Sequence, residues 1–133
     1  MKTDEARARL EAHRIQPSAQ RLAVAEVVLD NAEHLSADEI WSRAQRRIPQ
    51  ISRATVYNTL TTLVERGLLR SLVLTEGRVV FDPKLERHHH LIDDETGLIH
   101  DVPWGAVEVR GAASLPGFDV AEWSVVLHGK KKR

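Results

Sequence analysis

Cysteine is absent from the 133 residues. That absence excludes disulfides, thiolate zinc sites and thiol redox chemistry, so any metal site must be built from histidine, aspartate and glutamate. No apolar run approaches the ~20 residues that span a bilayer. The N-terminus is acidic and helix-forming rather than signal-like. A cytoplasmic protein with no membrane partner is therefore expected. Net charge is also lacking, with 19 Lys+Arg against 19 Asp+Glu, but the balance hides an asymmetry. Residues 1–82 carry 12 basic and 11 acidic side chains, residues 83–129 carry 3 and 8, and Lys130-Lys131-Lys132-Arg133 ends the chain with four cations. The acidic segment contains His88-His89-His90, a composition suited to cation binding.

The length fits one medium domain or two very small ones. Two small domains would have thin cores, and the smaller would need a partner subunit or a metal. Along the chain, Thr3 is a candidate cap for a first helix with Asp4 and Glu5 in its first turn. Pro17-Ser18 opens a second helix, with Leu22, Ala25, Val28 and Leu29 on one face. Ser36-Ala37-Asp38-Glu39 is a capping box that opens a third, with Ile40, Trp41 and Ala44 inward. Ser52 caps a fourth, with Val56, Leu60 and Leu63 inward and Gly67 as its stop. Leu68 to Leu74, a turn at Glu76-Gly77, and Arg78 to Phe81 read as a hairpin. Helices followed by a two-stranded hairpin describe a winged helix-turn-helix.

Pro83 marks a hinge. The reading is thus an α+β protein, with a winged-helix DNA-binding domain over 1–82 and a small α/β dimerisation and metal-sensing domain over 83–133. In the second part, strands are expected over His88–Ile92, Leu98–Val102 and Ser124–His128. A turn at Asp94-Glu95-Thr96-Gly97 separates the first two, and a short helix over Gly105–Ala113 precedes the third.

The fourth helix presents Arg53, Thr55, Tyr57, Asn58 and Thr61 on its polar face. Short donors and acceptors with one ring are what a major-groove helix needs; a solvated face would more often carry Lys and Glu. Ser52 at its start, Arg14, Gln20 and Arg21 around the second helix, and Arg78 on the wing are candidates for phosphate contacts. Double-stranded DNA is the implied partner. The modest local charge argues for a plain helical bundle with a polar face or for a weakly binding monomer, and dimerisation would double the contacts.

In a strand, His88 and His90 project to one face and His89 to the other. Hairpin pairing would bring Asp101 alongside them. With Asp82 at the hinge and His34 between the second and third helices, the set offers three nitrogens and two oxygens. It suits Fe(II) or Mn(II) and also accepts Zn(II) or Co(II). A metal held by all five would fix the angle between the two parts and so couple to DNA binding. Each residue also has a plain alternative: His34 as a surface histidine, Asp82 as a turn residue before Pro83, Asp101 as an exposed strand carboxylate.

These residues together resemble the Fur family of metalloregulators. The matching elements are Gln20-Arg21, His34-Leu35-Ser36-Ala37-Asp38-Glu39-Ile40, Ser52 to Leu60, Gly67-Leu68, Phe81-Asp82, His88-His89-His90 and Leu98 to Val102. The resemblance implies a homodimeric transcriptional regulator, in most cases a repressor, acting on a palindromic AT-rich operator. It also implies a regulatory metal site at His34, Asp82, His88, His90 and Asp101, and matches Tyr57 to a base-contacting tyrosine. The structural zinc that many family members hold with four cysteines is absent, because Asp93 and Thr96 stand where the first cysteine pair would be. A further family site is matched only by His89 and Glu108, since Arg87 and Trp123 stand where histidines are expected. Aspartates at 82 and 101 resemble the peroxide-sensing PerR branch. The lack of cysteine, the histidine run and the basic tail resemble the iron-response Irr branch, which implies haem as an alternative ligand. The signal is therefore iron, peroxide or haem. A small non-haem metal enzyme using His88, His90 and Asp101 is the alternative from another class, but the chain has little room for a substrate-enclosing fold. A metal-free winged-helix interaction module is the third reading.

Overall fold

Three serines start three helices by the same device. In the computed structural model, which describes residues 2–30, 33–75 and 77–133, Ser18 caps α2 (Ala19–Val28), Ser36 caps α3 (Ala37–Ala44) and Ser52 caps α4 (Arg53–Glu65). Each hydroxyl accepts from the backbone N–H three residues on, satisfying a donor that the first turn leaves open. At α3 the box is reciprocal: Glu39 N–H donates to Ser36 Oγ at 3.2 Å and Ser36 N–H donates to Glu39 Oε1 at 3.0 Å. Helix α1 (Thr3–Ala12) begins differently. Lys2 holds its cap position without a side-chain bond, and Thr3 lies inside the helix, where its hydroxyl donates to Glu26 of α2 at 2.5 Å. The expected Thr3 cap gives way to this bond between helices.

The capping box carries a pH dependence. Burial works to raise the Glu39 pKa, but hydrogen bonds from Ser36 and the Arg78 guanidinium outweigh it, and the net shift is downward from 4.5. A depressed carboxylate contributes stability above its unfolded value and loses it as pH falls through the folded value. Ser36→Ala should cost about 1 kcal/mol in urea unfolding near neutral pH. Most of that difference should persist below pH 4.5, because the cap accepts from a backbone N–H that does not titrate, whereas the cost of Glu39→Gln should fade there as the carboxylate protonates. An unchanged midpoint would contradict this account.

Two helices stop with the same paired bonds. After α4, Gly67 N–H donates to Val64 O and Leu68 N–H to Leu63 O, with Gly67 at φ 82°. After α1, Arg14 N–H donates to Glu11 O and Ile15 N–H to Leu10 O, with Arg14 at φ 61° in the place glycine favours. The Arg14 side chain is exposed to solvent.

The apolar stripes of α1–α4 meet in one core containing Leu10, Val24, Val28, Ile40, Val56, Leu60 and Leu63. Trp41 is only partly buried; its indole N–H donates to Ile51 O at 2.9 Å and ties α3 to the turn before α4. Strands β1 (Arg70–Thr75) and β2 (Arg78–Asp82) form the antiparallel wing. Gly77 takes φ 79° in its turn, whereas Glu76 lies outside the described residues. One bridge adds a third partner, Leu35 pairing with Phe81, whose N–H donates to Leu35 O at 2.8 Å. Helices α3 and α4 with this wing make the winged helix-turn-helix.

Two units divide the chain, Met1–Leu85 and Glu86–Arg133. In the second, β3 (His88–Asp93) is central, antiparallel to β4 (Ile99–Pro103) and parallel to β5 (Val126–Gly129). The helix expected over Gly105–Ala113 does not form. Only a 3-10 turn, Trp104–Ala106, follows β4, and no helix follows in 107–125. Glycines bracket the segment, Val107 and Val109 alternate with polar residues, and Gly111 takes φ 75°, so helix propagation fails against weak local propensity. Strand β5 begins at Val126 rather than Ser124 because Val125 bonds to the side chain of His89. Among the described residues no helix is long and apolar enough to cross a membrane.

Candidate metal centre and nucleic-acid interface

The Leu35–Phe81 bridge has a chemical consequence one residue further on. In an antiparallel bridge the flanking residues also face each other, so His34 meets Asp82. His34 Nε2 lies 3.2 Å from Asp82 Oδ2, and both side chains are almost fully buried. The other carboxylate oxygen, Asp82 Oδ1, accepts from Lys84 N–H at 2.9 Å, which fixes the carboxylate's orientation beside Pro83.

In the second unit, the β3–β4 register sets His90 directly opposite Asp101. The period of two puts His88 on the same face. His88 Nε2 is 3.5 Å and His90 Nε2 4.0 Å from Asp101 Oδ1, and the two rings meet edge to face at 4.6 Å. His88 Nδ1–H donates to Glu86 O at 2.6 Å, which turns Nε2 toward the carboxylate. That is the outer-shell bond that fixes the tautomer of a metal-ligating imidazole. The three residues offer ligand atoms within 4.8 Å of one another. Donors bound at about 2.1 Å around one ion stand roughly 3.0–3.4 Å apart, so small side-chain shifts would close this set on a divalent cation. The nitrogen and oxygen donors fit Fe(II), Mn(II) or Zn(II). The His34–Asp82 pair offers the same donor types, 3.2 Å apart.

His89 is different. Its Nε2–H donates to Trp104 O at 3.1 Å and its Nδ1 accepts from Val125 N–H at 3.0 Å. Both ring nitrogens are in use, and Glu108 is exposed. At the partial match to a second metal site, His89 and Glu108, the structure thus shows a ring whose two nitrogens both hydrogen-bond to backbone. The turn in the place of the missing cysteines is held by hydrogen bonds. Asp93 Oδ1 accepts from Glu95 N–H at 2.9 Å and Thr96 N–H at 3.3 Å. The Glu95 bond is the largest influence lowering the Asp93 pKa, against an opposing effect of burial.

On the first unit, Arg53, Tyr57, Asn58 and Thr61 are exposed on α4, and Thr55 is half-buried. A polar groove runs between α4 and the start of α2, lined by Gln20 and Arg21 on one side and Thr55, Asn58 and Thr62 on the other. Gln16 and Ser18 line it too, residues that helical periodicity does not single out. The Ser52 hydroxyl donates to Thr55 Oγ1 at 2.8 Å besides capping α4, so its role in the free protein is local. Arg14 and Arg78 are exposed, and Arg78 pairs with Glu39 at 2.7 Å. Asp38, in the first turn of α3, accepts from the Tyr57 hydroxyl at 3.3 Å and lies 3.5 Å from Arg53 Nε. The Arg53 guanidinium also stacks 4.6 Å above the Trp41 ring.

A sequence model described as "Ferric uptake regulator family" matches residues 13–128. Among similar proteins, the peroxide operon regulator of Bacillus subtilis is 33% identical over 112 residues, covering 83% of this chain and 77% of its own. A peroxide-responsive repressor PerR of Staphylococcus aureus is 28% identical over 117 residues, covering 86% and 79%. Among solved structures, a zinc-bound manganese uptake regulator aligns with a TM-score of 0.74 at 24% identity over 99% of this chain and 100% of its own. The Campylobacter jejuni peroxide stress regulator aligns at 0.68 and 25% over 100% and 98%. These relatives are named as regulators, not as enzymes. With the family model matching 13–128 and a relative 33% identical over 83% of the chain, the protein belongs to the ferric uptake regulator family.

Proposed function

We propose that the chain is a homodimeric, metal-dependent DNA-binding repressor of the cytoplasm that uses Fe(II) or Mn(II) to control iron-homeostasis or peroxide-stress genes. Residues 1–82 bind DNA, and residues 83–133 dimerise and sense. The observation that carries the reading is the Asp101 carboxylate set between two buried imidazoles, His88 and His90. His34 and Asp82 complete the ligand set. Because these two come from the winged-helix unit, loading the site restrains the angle between the units. Two winged helices must reach successive major grooves of a palindrome, so a fixed angle raises operator affinity. The bound ion supplies positive charge and, as Fe(II), reactivity toward peroxide. The exposed apolar residues Leu115 and Phe118 provide surface for a second copy.

The reading is tested on a palindromic AT-rich duplex selected by the protein from a randomised pool in Mn(II). Binding is titrated with Fe(II), Mn(II), Zn(II) and haem, each repeated after peroxide. Fe(II) and Mn(II) should promote binding. Peroxide should abolish it only for Fe(II), with one oxygen atom added to His34 or His88 in the mass spectrum. Binding that ignores chelation would contradict the sensory part. Promotion by haem alone would favour a haem-responsive regulator.

Asp38 adds a prediction about specificity. A carboxylate that holds Arg53 and Tyr57 competes with DNA phosphate for both groups. Exposed pairs of this kind are worth about 1 kcal/mol at most. Asp38→Ala should therefore tighten binding to a non-operator duplex by about two- to fivefold at low salt, read by fluorescence anisotropy. Weaker or unchanged binding would show that Asp38 does not restrain these side chains.

A further inference from the structure

The face of β3 opposite His88 and His90 carries a layered cluster. The His89 ring stacks on Trp104 with centroids 4.4 Å apart and planes 14° from parallel. Trp123 lies 4.4 Å from Trp104 and 5.8 Å from His89. The Arg87 guanidinium covers the Trp104 ring from 3.9 Å and lies 5.6 Å from Trp123. His89 is fully buried at the centre of this group.

The bonds of His89 reach both sides of the sheet. Nε2–H donates to Trp104 O, just past the end of β4. Nδ1 accepts from Val125 N–H, just before β5, while Val125 O accepts from His90 N–H at 3.1 Å. One ring thus ties the central strand to the segments leading from one edge and into the other. It does so between the two residues that face Asp101.

We propose that Arg87, His89, Trp104 and Trp123 form a metal-free staple that stands in place of a second metal ion and fixes the rotation of β3, aiming His88 and His90. His89 is a positioning residue, not a ligand. A cation bound by side chains from several segments of a small sheet would cross-link it; here two hydrogen bonds and a cation–π stack do so. The substitution also accounts for how a unit with Ile92 as its one buried aliphatic among the described residues holds three strands together. The aiming role rests on the metal-regulator reading above; the staple itself does not.

The test uses the full chain. Wild type should bind one Co(II) per chain in competition with a chromophoric chelator. Its near-UV circular dichroism from coupled indoles should be the same with and without chelator. His89→Phe keeps a stacking ring and removes both hydrogen bonds. It should lower Co(II) affinity about tenfold, the size of effect seen when outer-shell partners are lost, and alter the visible Co(II) spectrum. It should also lower the apo melting temperature by about 5 °C. Arg87→Ala, at an exposed residue, should weaken the near-UV signal without loss of folding. A second Co(II) of similar affinity that perturbs the indoles would overturn the proposal, as would unchanged Co(II) affinity and spectrum in His89→Phe. If wild type takes up no Co(II) at all, the regulator reading and the aiming role fail together. A near-UV signal that resists chelator and weakens in Arg87→Ala would then still support the staple.

Discussion

Replacing His90 with alanine should lower Mn(II) affinity on the order of a hundredfold or more, and with it remove metal-dependent operator binding. Losing an outer-shell partner costs about ten- to hundredfold, and a direct ligand costs at least as much. His90 is the informative choice because it is nearly fully buried and sits opposite Asp101 across the β3–β4 ladder. Part of the loss could come from the cavity that alanine leaves, so the apo melting temperature must be measured alongside. His100→Ala supplies the control. His100 pairs with Leu91 one step along the same ladder, so it faces the other side of the sheet and is exposed. Its removal should leave Mn(II) affinity unchanged. Equal losses in both variants would mean that the hairpin, not the ligand, had been damaged.

The second large effect is that of salt. Each protomer presents Arg14, Arg21, Arg53 and Arg78 around α4 and the wing. A dimer using all of them would release counterions from about eight phosphates. One using only Arg14 and Arg21 would release them from about four, because Arg53 and Arg78 already pair with Asp38 and Glu39. The slope of log affinity against log salt should then lie between about −4 and −7. Operator binding should weaken by roughly 10² to 10⁴ between about 50 and 200 mM salt. Arg21→Ala should make the slope shallower by about two in the dimer, one phosphate per protomer. A slope near zero would remove the phosphate contacts from the account, and an unchanged slope in Arg21→Ala would remove that residue.

What is legible in the sequence is local. Ser18, Ser36 and Ser52 announce helix starts because a cap is a contact over three residues. Gly67 announces a stop for the same reason. The facing of His88 and His90 follows from strand period alone, and pairing with Asp101 needs only a short hairpin. The meeting of His34 with Asp82 is legible as a ligand set but not as geometry, since it depends on one bridge between Leu35 and Phe81, 46 residues apart in number. Contacts between elements are hidden altogether: Asp38 against Tyr57, or Thr3 against Glu26. The absent helix after Trp104 shows the opposite failure. The segment has some helical pattern, but its glycines and alternating valines set a propensity too weak to propagate a helix. The surroundings of His89 are not legible either: the sequence shows that a second cation site is only partly matched there, while the stacked Trp104 ring and the bond from Val125 N–H come from the fold.

Where metal and operator binding are coupled through one site, the coupling is reciprocal. The direct measurement is Mn(II) affinity for the full-length protein, taken with and without a saturating operator duplex at one salt concentration. Operator should tighten Mn(II) by the same factor by which Mn(II) tightens operator, roughly 5- to 150-fold per site, and His90→Ala should abolish both. Mn(II) affinity unaffected by operator would contradict the coupling.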